Sequence, residues 1–165
     1  MDEIQLQHER AVAENFIRWY NQQHGTNFTF HGRPEEAPDQ AFRDGENELQ
    51  VEVADAYYDK ADAMLKWKTA RGAPDAPSSW SGSNFDDRLV ESINRVIEEK
   101  CAKDYGRNCA FVVNVYPNLT TAGEMEAMLP EIRVPDGHRF TGVYLTGDFP
   151  HATGDIGGYR CWQLA

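Results

Sequence analysis

The stretch Pro38-Asp39-Gln40-Ala41-Phe42-Arg43-Asp44-Gly45-Glu46-Asn47-Glu48-Leu49-Gln50-Val51-Glu52-Val53-Ala54 decides the fold. Its second half alternates strictly, with Leu49, Val51 and Val53 on one side and Glu48, Gln50, Glu52 and Ala54 on the other. Period-two alternation is the signature of a strand. Asp44-Gly45-Glu46-Asn47 carries the Asp-Gly pair of a tight hairpin turn. Residues 39–43 and 48–54 therefore form two adjacent antiparallel strands.

Working outward, residues 7–23 predict a helix, with Val12, Ala13, Phe16 and Tyr20 at helical spacing and Gly25 as its stop. Residues 28–31 make a short extended run before a Pro-rich turn. Residues 58–69 predict a helix, followed by a Gly-, Pro- and Ser-rich mobile loop at about 71–83 that carries Trp80. The longest helix spans 86–105, with Leu89, Ile93, Val96, Ile97 and Cys101 on one side, a cap at Ser83 or Asn84 and Gly106 as its stop. The β-branched run 110–116 predicts a buried strand. A short helix at 122–129 and strands at 140–146 and 159–164 complete the order α-β-β-β-α-α-β-α-β-β. No repeat or low-complexity segment interrupts it. The expectation is one α/β domain over residues 1–165.

Composition bounds the function. The chain has 165 residues, 41% of them hydrophobic and 12% aromatic, enough to build a core. Sixteen Lys and Arg against 27 Asp and Glu give a net charge of −11, which excludes nucleic-acid binding through bulk charge. The polar start lacks a signal peptide's apolar core, and no apolar run approaches the roughly 20 residues that span a bilayer. Cys101, Cys109 and Cys161 have no CxxC spacing, which argues against a zinc site or disulfide framework. A cytoplasmic protein without a membrane partner is expected.

Three carboxylates stand where local structure should aim them inward. Asp39 opens a strand after Pro38, Glu52 lies mid-strand, and Glu9 falls on the helical stripe of Val12, Phe16 and Tyr20. A carboxylate facing a core is costly unless it is paired or bound to metal. Carboxylates converging from one helix and two neighbouring strands would offer hard oxygen ligands, suited to Mg²⁺ or Mn²⁺.

These residues carry a resemblance. Pro38-Asp39 followed by Glu52-Val53-Ala54 resembles the core of the restriction-endonuclease-like PD-(D/E)xK superfamily. Glu9-Arg10 on the first helix is similar to the Glu-Arg that opens archaeal Holliday-junction resolvases of that fold. The likeness runs from Glu9 to Tyr116, with residues 58–69 as an insertion. It implies a mixed central sheet flanked by helices and a metal-dependent phosphodiesterase acting on nucleic acid, DNA first. Glu9, Asp39, Glu52 and the carbonyl of Val53 would bind Mg²⁺ or Mn²⁺, and Arg10 and Arg33 would contact phosphate. Ala54 stands where the motif has lysine. Lys100, on the apolar side of the long helix, is the best replacement, ahead of Lys66 and Lys68, and Gln50 is a further polar ligand.

Each assignment has a plainer counterpart. Glu52 can be a surface glutamate, Asp39 a turn residue, Glu9 a first-turn acid facing the helix dipole, and Lys100 a snorkelling lysine. The competing function is a non-catalytic module of the same fold that binds a protein partner. A nucleic-acid mimic ranks third. Nothing in the sequence bars a homodimer. Gly154–Gly158 lacks the lysine of a phosphate loop and predicts a turn. Tyr57-Tyr58 could stack a base but packs in a core on the simpler view, as does Trp162. Ser78, Ser79 and Ser81 have no nearby histidine that would complete a hydrolase triad.

Overall fold

The computed structural model describes residues 3–35, 38, 40–57, 85–116, 120–152 and 154–165. Asp39 and the expected helix and loop at 58–69 and 71–83, with Lys66, Lys68 and Trp80, lie outside them. The described elements are α1 (Glu3–His24), β1 (Thr29–Gly32), β2 (Gln40–Asp44), β3 (Asn47–Ala56), α2 (Phe85–Cys101), β4 (Cys109–Val115), α3 (Ala122–Met128), β5 (Gly142–Phe149) and β6 (Gly158–Gln163). They build an α/β protein with a six-stranded mixed sheet and three helices. No helix among the described residues is long and apolar enough to cross a membrane.

The strands lie in the sheet in chain order, β1 to β6. β1, β2 and β3 form an antiparallel meander, β3, β4 and β5 run parallel, and β6 turns back antiparallel on β5. The expected hairpin pairs Asp44 with Asn47 across a two-residue loop. Gly45, at φ +61°, takes the first loop position, where a hairpin turn with matching twist favours glycine.

Alternation along β3 sends side chains to two separate cores. Leu49, Val51 and Val53 pack with Val12, Ala13, Phe16 and Ile17 of α1, together with Phe42, Ala110, Val112 and Tyr144. On the other face Ala54 and Ala56 join Phe111, Val113 and Val115 beneath Leu89, Ile93 and Ile97 of α2 and Met125 and Met128 of α3. Glu52 pairs with Phe111 in register and so belongs to the α2 face.

Several boundaries differ from the sequence expectation: α1 begins at Glu3 rather than at 7, and β3 runs Asn47–Ala56 rather than 48–54. The long helix ends at Cys101 rather than at 105. Asp104 accepts a hydrogen bond from Gly106 N at 2.9 Å, a local turn that competes with the helix, and Gly106 follows at φ +87°. Tyr105 then turns inward and stacks on Phe140, with ring centroids 5.5 Å apart. The fifth strand is displaced from 140–146 to Gly142–Phe149 because Phe140 is committed to that stack and to Phe111. Trp162 packs edge-on against Phe149, as expected of a core aromatic.

Candidate active site

Glu52 sits mid-strand in β3, 3% exposed, on a face lined by apolar side chains. Burial removes the water that would solvate its charge, so a partner is needed. Lys100 supplies one. It projects from the last turn of α2, and its Nζ donates to Glu52 Oε1 at 2.6 Å. Its side chain keeps 25% exposure. Burial opposes the lysine's charge, but the hydrogen bond and charge of Glu52 outweigh it and hold the amine above its ordinary range. The Tyr105 ring lies 5.5 Å from the same Nζ.

Glu9 belongs to α1, on the opposite face of the sheet. Its Oε2 accepts from Arg33 at 3.2 Å. Arg10 points along the same stretch, bonded through Nε to Glu14 at 3.0 Å and lying 3.9 Å over the Phe30 ring. Gln50 shares the Glu52 face but turns its amide to Glu48, 3.1 Å away. That bond and Arg43 hold the Glu48 carboxyl below its ordinary range. Glu52 and Lys100 are thus brought together. Glu9 keeps company with Arg33, and Asp39 lies outside the described residues, one position before β2 begins opposite Val51.

A divalent cation needs several oxygens at one point. Among the described residues no three His, Cys, Asp or Glu side chains gather to hold a metal. The donor chemistry at Glu52, a buried carboxylate beside a strand carbonyl, suits a hard cation. The described residues alone do not complete its shell.

No family model, curated protein or solved structure matches this chain.

A second polar constellation was not legible in the sequence. Asp55, Asn114, Thr146 and Cys161 occupy one rung across β3, β4, β5 and β6. Asn114 Nδ2 donates to Asp55 Oδ1 at 3.2 Å, and Thr146 Oγ1 donates to Asn114 Oδ1 at 3.4 Å. His8, from α1, places Nε2 2.9 Å from Asp55 Oδ1, and the Tyr116 hydroxyl lies 3.1 Å from His8 Nδ1. Tyr57 stacks on Tyr116 at 5.2 Å and donates to Asp55 Oδ2 at 3.4 Å, so its aromatic face is spent inside the protein. Burial, with the charge of Asp55 and then Tyr57 behind it, pushes the Tyr116 phenol well above its usual range and keeps it protonated. The only sequence signal for this group is Asp55, continuing the alternation of β3 onto the Val53 side.

Proposed function

We propose that the protein is a metal-dependent phosphodiesterase of restriction-endonuclease-like fold, acting on nucleic acid. The observation that carries the proposal is the 2.6 Å contact between Lys100 and Glu52. Ala54 stands where the resemblance would put a lysine, and the facing helix brings a cation to the neighbouring carboxylate. The element order supports the same reading: a helix, an antiparallel three-strand meander, a second helix and a strand parallel to β3. Asp39, Glu52 and the Val53 carbonyl would hold Mg²⁺ or Mn²⁺; Glu9, expected to join them, stands on the other face of the sheet beside Arg33 and is left out of the set. Bound there, the ion would supply an activated water and charge stabilisation at phosphorus. Lys100 stays protonated through the neutral range. Its role is to offset negative charge and fix the Glu52 carboxylate, not to accept a proton.

One observation favours a second reading. Glu52 and Lys100 already neutralise each other, and among the described residues no three metal-binding side chains converge. A non-catalytic module of the same fold that binds a protein partner has that appearance.

Incubation of the protein with Mn²⁺ and supercoiled, single-stranded or branched DNA, or single-stranded RNA, separates the two. Cleavage is expected, with Asp39→Asn, Glu52→Gln and Lys100→Met each lowering the rate by about a hundredfold or more while the fold persists. No cleavage of any substrate by the parent chain selects the non-catalytic module.

A further inference from the structure

A pocket of about 220 Å³ opens between the start of α1 and the edge of the sheet, lined by Leu6, Gln7, Arg10, Phe30, Arg33 and Gln40. Its floor is unusual. Gln40 is 2% exposed, and its Oε1 has no hydrogen-bond partner among the described residues. A buried amide left in that state costs about 1–3 kcal/mol unless something else satisfies it. Gln40 stands on the same face of β2 as Phe42, the α1 face, and lines the pocket.

Arg10 forms part of the wall. Its Nε is used by Glu14 and its plane rests on Phe30, which fixes the guanidinium in place. A guanidinium carries five N–H donors in a rigid fork. Arg10 therefore has donors to spare, matched to phosphate oxygens. Phosphate at Arg10 and a hydroxyl at Gln40 is the chemistry this pocket asks for. A hydroxyl both donates and accepts, so it satisfies the amide from either end. The volume lies below the roughly 300–1,000 Å³ of a pocket for a drug-sized ligand. It suits one sugar-phosphate unit better than a whole nucleotide.

We propose that this pocket is a subsite for a ribose phosphate, with Arg10 taking the phosphate and Gln40 the 2′ hydroxyl of the sugar. The choice of ligand class rests on the phosphodiesterase reading, whereas binding itself requires no cleavage. The phosphate can arrive on a free sugar or within a ribonucleotide chain.

Calorimetric titration of the full chain with ribose 5-phosphate and with the dinucleotide UpU tests it, using d(TpT) as the probe that lacks 2′ hydroxyls. A parallel series in Glu52→Gln without divalent cation keeps binding apart from hydrolysis. Saturation by ribose 5-phosphate or UpU is expected by about 1 mM, with d(TpT) about tenfold weaker or worse. Gln40→Glu, which keeps the shape but sets a carboxylate against the ligand, should cost about tenfold or more, as should Arg10→Gln. Arg10 is half exposed, so its variant folds even if Gln40→Glu does not. Binding retained in Glu52→Gln, alongside an absence of cleavage by the parent, would sink the phosphodiesterase reading and leave the subsite standing. Failure of both sugar phosphates to saturate, or unchanged affinity in Arg10→Gln, overturns the subsite.

Discussion

At the level of single residues, Lys100 and Glu52 illustrate how burial and pairing trade against each other. Glu52 is almost fully buried and the lysine is not, so removing the lysine strands the costlier charge. Lys100→Met is expected to destabilise by about 2–4 kcal/mol, somewhat below the range for fully buried pairs, as measured by urea unfolding. Glu52→Leu with Lys100→Met should recover most of that loss. The folded amine titrates above its ordinary 10.5. Its contribution is therefore complete below that pH and falls away as pH rises through the folded value. The parent should lose stability above about pH 10.5, and Lys100→Met should lose less over the same interval. Both residues were legible: Glu52 from the alternation of β3, Lys100 from its place one helical repeat beyond Ile93. His8 and Asp55 were not, because their meeting depends on where α1 lies across the sheet. No local pattern encodes that placement.

Elements were read better than sites because their signals are local. All six strands and α1, α2 and α3 occur in the expected order, with ends shifted by up to four residues from where alternation, helical spacing and turn residues put them. The misses occur where a tertiary partner outbids the local signal, as Phe140 does for Tyr105 and for the start of β5. α3 has only seven residues, too few to be stable alone, and it depends on its ends. Thr121 Oγ1 accepts from Glu124 N at 3.2 Å, and Glu124 Oε1 accepts from Thr121 N at 3.3 Å, a reciprocal capping box. Thr121→Ala should cost about 1 kcal/mol, read from the shift in thermal midpoint. Thr121→Ser should recover most of it.

For the whole molecule, the −11 charge and the open sheet work on different problems. The acidic excess repels polyanions at long range, so any contact with nucleic acid must be won locally, by Arg10, Arg33, Lys100 or a bound cation. That constraint was visible in the composition alone. What composition could not show is that Glu9 and Glu52 approach from opposite faces of the sheet, with a cation beside each. The two cores divided by β3 and β4 are the physical reason. A helix on each side places each carboxylate on the face its own element covers.

The chain-order arrangement of the strands also sets the tempo of assembly. β2 and β3 meet across a two-residue loop, so their pairing closes quickly and at little entropic cost. β3 and β4 pair in parallel between residues far apart in sequence, Gln50 with Cys109 and Ala56 with Val115. Closing that long loop comes before its contacts repay the cost. The hairpin should therefore form first and the central parallel seam should limit the rate. In stopped-flow chevrons, Val112→Ala, facing Val53 across the seam, should slow refolding. Phe30→Leu, on the outer strand β1, should act mainly by hastening unfolding. Until the seam closes, the edge of β3 that β4 will cover stays open to other chains, and refolding yield should fall as protein concentration rises.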